Sequence, residues 1–115
     1  MAVERSDVLL SDDAPQSAKD RVRDVMAEIR PDGYRQAVAM LFDANIHADA
    51  RHITLPVRVV CGAADVVTPP ANCRDVAESF PAARFDILAG LGHASYVEGP
   101  NAFNAALINH IRDAS

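Results

Sequence analysis

Two loops gather the side chains of this sequence best suited to chemistry. The first is Gly62-Ala63-Ala64-Asp65-Val66-Val67-Thr68-Pro69-Pro70, and it carries one carboxylate. The second is Gly90-Leu91-Gly92-His93-Ala94-Ser95-Tyr96-Val97-Glu98-Gly99-Pro100, and it carries an imidazole. A carboxylate beside an imidazole has a definite use. It fixes the tautomer and orientation of the ring, and it stabilises the imidazolium formed when the ring takes a proton from a nucleophile. Asp65 alone reads equally well as an ordinary polar turn after Gly62. Paired with Gly92-His93 at this interval, the catalytic reading gains the advantage.

The other reactive residues have plainer readings. Cys61 and Cys73 form neither a disulfide framework nor a C-x-x-C pair. Cys61 ends a strand and precedes the acid loop, not a strand-to-helix elbow, so its expected role is packing. No two His or Cys have the ligand spacing of a structural zinc module. His47 and His52 fall in a polar connection and are expected to be exposed, and His110 is expected at the edge of the core. Tyr34, Met40 and Phe42 could line a pocket, but a stripe at helical spacing is ordinary packing.

The elements that must hold the two loops follow from the apolar pattern. Pro56-Val57-Arg58-Val59-Val60-Cys61 is a β-branched run ending at Gly62, the pattern of a buried parallel strand. Thr68 is a plausible N-cap for a helix with Pro69 in its first position, running to about Phe80. Arg84-Phe85-Asp86-Ile87-Leu88 is a second short strand. Pro100 starts a last helix with Phe103, Leu107, His110 and Ile111 on its inner face. Strand, helix, strand, helix implies a parallel crossover in an open α/β sheet. In such sheets ligands and catalytic groups gather at the C-terminal ends of the strands, where both loops lie.

Upstream, a poorly patterned lead-in ends at Ser11-Asp12-Asp13. Val22, Val25, Met26 and Ile29 then mark a helix from about Ser17 to Ile29. Pro31 opens a second helix to about Phe42, with Tyr34, Ala37, Val38, Leu41 and Phe42 on one stripe. Asn45 to Arg51 reads as polar and irregular.

Composition narrows the function. The chain has 115 residues, half of them apolar, with 23% charged and a formal charge of −5. That is enough for a core and excludes a disordered acidic tail. Neither half is basic: seven bases meet ten acids before Pro56, and four meet six from there on. Nucleic acid is therefore not an expected partner. No stretch approaches the roughly 18 apolar residues of a membrane span, and the lead-in has no signal-peptide pattern. The expected setting is the cytoplasm.

The run L-P-V-R-V-V-C-G-A-A-D-V-V-T-P-P, followed by F-P-A-A-R-F-D-I-L-A-G-L-G-H-A-S-Y-V-E-G-P-N-A-F, resembles the α/β-hydrolase superfamily. Within it, the likeness is nearest to enol-lactonase-like and meta-cleavage-product hydrolases. The resemblance implies the last two parallel strands of that fold with flanking helices, in an incomplete sheet. Residues 1–52 would be a disordered lead-in and the end of a helical cap, and residues 53–115 a βαβα segment of the core. It makes Asp65 the triad acid and His93 the general base, and gives Glu98 a structural role. It implies acyl transfer on a small-molecule ester, lactone or C–C bond, with no cofactor and no metal.

One part of the pattern is missing. The five glycines, at 33, 62, 90, 92 and 99, form no G-x-S-x-G elbow. Ser95 follows the histidine by two and cannot be the elbow serine, and the Gly-rich oxyanion segment is also absent. The expectation is a chain with only the acid and the base, inactive alone. It would be completed by the N-terminal portion of a hydrolase, or else serve as a non-catalytic module that associates with itself or another chain. A parallel βαβ unit takes roughly 30 residues or more, so two strands represent the last third to half of such a domain.

Overall fold

The computed structural model describes residues 6–115. Two strands, β1 (Val57–Gly62) and β2 (Ala83–Leu88), pair in parallel with Val57 opposite Ala83 and Gly62 opposite Leu88. The crossover between them is helix α4 (Pro70–Glu78), which packs on both strands. Helix α6 (Pro100–Ala114) also packs on both. Ahead of the sheet come α1 (Gln16–Ala27), α2 (Pro31–Asp43) and the short α3 (Ile46–Ala50). One further turn, α5 (Ser95–Glu98), follows the second site loop.

The strands and the four long helices were legible from periodicity and proline, within two residues at most ends. Four local expectations are corrected. Thr68 does not cap α4; Pro69 holds that position, and the Thr68 hydroxyl faces Asp65 and His93 Nδ1 instead. Asn45 to Arg51 is not irregular: the Asn45 side chain accepts from the Ala48 N–H at 3.2 Å and starts α3, whose Ala50 is buried. On α6 the buried residue is Ala106, with Phe103 and His110 half-buried, while Leu107 and Ile111 stay exposed.

The fourth correction concerns the lead-in. Its described part, from Ser6, holds Leu10, Ser11 and Ala14 buried. With Ala18, Val22 and Ala94, residues Leu10 and Ala14 form a buried apolar cluster, flanked by Leu9, Met26 and Val97. Residues 1–5 lie outside the described part. Small side chains explain why sequence reading missed this core. Three of its five members are alanines, which carry little hydropathy signal yet allow close backbone approach.

Polar groups tie the sheet to the last helix. Arg58 on β1 pairs with Asp86 on β2 and, at 2.6 Å, with Asp113 on α6, which also takes Arg84 at 2.7 Å. Elsewhere the apolar surface is poorly covered. The accessible surface is 8071 Å² for a 12.3 kDa chain, whereas a compact monomer of that mass presents about 6100 Å². The radius of gyration is 15.3 Å, against about 13 Å for a compact domain of this length. No residue of α2 is buried, and its Leu41 and Phe42 are 68% and 89% exposed.

Candidate active site

Parallel pairing of β1 and β2 brings the two loops to one sheet edge, and backbone hydrogen bonds lock them together. Ala63 N–H donates to Leu88 O at 2.8 Å, and Ala64 N–H donates to Leu91 O at 2.9 Å. Gly62 sits where the loops touch: a Cβ there would lie 2.2 Å from Leu91 O. Gly90 turns the chain out of β2 at φ 71°, a left-handed conformation that L side chains resist.

Within this frame Asp65 and His93 meet. Asp65 Oδ2 lies 2.9 Å from His93 Nδ1, with the carboxylate side chain 4% exposed and the imidazole 37% exposed. Asp65 Oδ1 accepts the N–H groups of Val67 and Thr68, each at 2.9 Å. The Thr68 hydroxyl donates to Oδ2 at 2.9 Å, which leaves its oxygen free to accept from His93 Nδ1, 3.1 Å away. Burial pushes the Asp65 carboxyl up. The Thr68 N–H, His93, the Thr68 hydroxyl and the Val67 N–H together outweigh it, and the group ends below the usual carboxylate range. A buried carboxylate with this many donors stays ionised at neutral pH.

The geometry has a clear chemical meaning. With Nδ1–H directed at Asp65 and Thr68, the neutral ring presents the lone pair of Nε2 as a base. Among the described residues no hydroxyl or thiol is bonded to that nitrogen. Cys61 is not a stand-in nucleophile: burial first, then Cys73 and Asp65, push its thiol up to about 12, so it stays protonated. Its Sγ rests near Gly62 O and Thr68 O, and Cys73 Sγ shares the latter. His47 lies elsewhere, bridging α3 to Ser79 at 2.6 Å. Among the described residues, no three His, Cys, Asp or Glu side chains converge as a metal site would need. No described helix is long and apolar enough to cross a membrane.

Glu98 holds the histidine loop from behind. Its Oε2 accepts the Gly92 N–H at 2.8 Å and the Ser11 N–H at 3.1 Å, and its Oε1 takes the Ser11 hydroxyl. Alongside, Ala94 N–H donates to Leu9 O at 2.7 Å. Gly92 leaves no room for a side chain, since a Cβ would sit 2.5 Å from the Leu10 carbonyl carbon. Sequence reading had Glu98 as structural but did not find its partner Ser11, 87 residues away. Thr68 was also missed as a site residue. A hydroxyl three positions after a loop aspartate was the available signal.

No family model matches the chain. It is 37% identical over 81 residues to RutD of Caulobacter sp. (strain K31), covering 70% of this chain and 30% of that protein. It is 30% identical over 96 residues to 3-oxoadipate enol-lactonase 2 of Acinetobacter baylyi, covering 84% of this chain and 35% of the lactonase. A thermophilic esterase from Thermogutta terrifontis shares the fold with a TM-score of 0.89 at 20% identity, over 98% of this chain and 43% of the esterase. The chain therefore spans less than half the length of each of these proteins. It belongs to the α/β-hydrolase superfamily, and it corresponds to a C-terminal part of that fold.

Proposed function

We propose that this chain supplies the acid and the base of a Ser-His-Asp triad, Asp65 and His93, for acyl transfer on a small-molecule ester, lactone or C–C bond. The single observation that carries this reading is the buried, fully hydrogen-bonded Asp65 at 2.9 Å from His93 Nδ1. The relatives support the substrate class, since one is an enol-lactonase, whose substrate is a cyclic ester.

The chain acts only when completed. Its sequence has no G-x-S-x-G elbow, and the N-terminal portion of a hydrolase supplies the serine and the oxyanion hole. Serine attacks the carbonyl while His93 Nε2 takes the hydroxyl proton, and the imidazolium returns it to the leaving group. Water, deprotonated by the same nitrogen, then releases the acid. Alone, the chain lacks oxyanion stabilisation, often the largest catalytic contribution, and is inactive.

Covalent labelling tests this. The chain is mixed with the N-terminal portion of the Acinetobacter enol-lactonase and treated with a fluorophosphonate. The expected result is label on the partner's elbow serine in the mixture, none on either piece alone, and none with His93→Ala. Labelling indifferent to His93→Ala would reject the assignment. The uncovered α2 stripe also favours a second reading, a non-catalytic module that associates through this surface. A compact monomer in size-exclusion chromatography counts against that second reading.

A further inference from the structure

The fold brings together two thiols that their sequence spacing leaves apart. Cys61 is the fifth residue of β1 and Cys73 the fourth of α4, and α4 packs directly on β1. Both sulfurs meet one carbonyl: Cys73 Sγ lies 3.3 Å from Thr68 O, and Cys61 Sγ lies 3.6 Å from it. They also meet each other, since a hydrogen bond with Cys73 follows burial among the causes that raise the Cys61 thiol. Both are free, Cys61 buried and Cys73 half-buried.

Thr68 joins this pair to the acid–base site. Its hydroxyl touches Asp65 Oδ2 and His93 Nδ1, and its N–H donates to Asp65 Oδ1 at 2.9 Å. The carbonyl of the same residue is the acceptor the two thiols share. Two sulfurs held on regular elements, one within reach of solvent and the other behind it, suit reversible two-electron oxidation.

We propose that Cys61 and Cys73 are a peroxide-sensitive modification site, which closes to a disulfide behind the acid loop and alters the setting of His93 through Thr68. Cys73, as thiolate, attacks hydrogen peroxide: an S–O bond forms, the O–O bond breaks, and the hydroxide released is protonated to water. The Cys61 sulfur then attacks the Cys73 sulfur. The S–O bond breaks, and the departing hydroxide takes the Cys61 proton and leaves as a second water. The two thiols give up two electrons, and one peroxide becomes two waters. A thiol reductant reverses the change. Closing the bond removes both S–H donors from the Thr68 carbonyl.

Mass spectrometry of the whole chain, treated with equimolar hydrogen peroxide and digested with trypsin, tests the pairing. Residues 59–74 form one tryptic peptide that holds both cysteines and no methionine. The expected product has lost two hydrogens, has gained no oxygen, and stays joined after cleavage before Asp65. In parallel, the ring-nitrogen NMR resonances of His93 should shift on oxidation and return with a reductant. Cys73→Ser, which keeps a donor for Thr68 O, should abolish both changes. Cys61→Ala should stop at a sulfenic acid on Cys73 that dimedone traps. A peptide that only gains oxygen, cross-linked dimers in place of the internal bond, or a disulfide that leaves His93 unmoved would overturn the proposal. Neither readout needs turnover, so failure here leaves the triad assignment standing.

Discussion

The two site loops and helix α2 are opposites within one small chain. Around Asp65 and His93 the carboxylate oxygens, the Thr68 hydroxyl and His93 Nδ1 all have named partners, and Gly62 and Gly92 sit where no Cβ fits. On α2 the apolar stripe of Tyr34, Val38, Leu41 and Phe42 faces outward with nothing buried. The first region is held together by its own hydrogen bonds. The second has the composition of a buried face and the exposure of a surface, which is the mark of an element shaped to lie under another body. This contrast supports the proposal of an acid–base pair completed by a further portion of the fold.

Substitutions sharpen this contrast, beginning with glycine. Gly62→Ala places a Cβ 2.2 Å from Leu91 O and should cost about 3 kcal/mol or more, read as a lowered urea midpoint. The same change at Gly33 on α2, with nothing within 4 Å, should raise stability by about 0.5 kcal/mol. Equal effects at the two positions would erase the distinction.

Glu98→Ala comes next. It strips the acceptor from Gly92 N–H and from both Ser11 donors, and leaving these groups unsatisfied should cost about 2–3 kcal/mol. Glu98→Gln keeps one acceptor oxygen and should recover part of that loss. A Glu98→Ala chain as stable as wild type would show that the lead-in does not brace the histidine loop.

A smaller effect is expected in acid. Hydrogen bonds hold Asp65 below its ordinary 3.8 in the folded chain. Its contribution is therefore fully present above the unfolded value, and it is lost as pH falls through that value towards the folded one. Denaturation midpoints between neutral pH and acid should show this limb in wild type, and Asp65→Asn should lack it. An unchanged acid limb in Asp65→Asn would mean the carboxylate is not held as described. The smallest effect is Phe42→Ser, which should move stability by less than about 0.5 kcal/mol. A large loss would mean that α2 packs somewhere in the isolated chain.

What sequence revealed and what it hid follow from range. The strands, their parallel order and the Asp65 and His93 loops were legible because β-branched runs, Gly62, Pro100 and helical spacing are local signals. The proximity of the acid and the base followed from topology, since parallel neighbours bring their C-terminal loops to one edge. Their partners were harder to find. Thr68 looked like a helix cap because a Thr before Pro-Pro suits a helix start, yet Pro69 holds the cap and the Thr68 hydroxyl faces Asp65 and His93. The Ser11–Glu98 link spans 87 residues and leaves no periodic trace. The alanine-lined contact of the lead-in with Ala94 depends on smallness, which hydropathy does not register.

The central claim is that His93, held by Asp65, is the general base of a hydrolase completed by an elbow-bearing partner. Hydrolysis of p-nitrophenyl butyrate by the reconstituted assembly measures it most directly, with wild-type chain compared with His93→Ala. The account predicts a turnover rate that falls roughly 10⁶-fold in the variant. Assemblies that turn over at the same rate would contradict it.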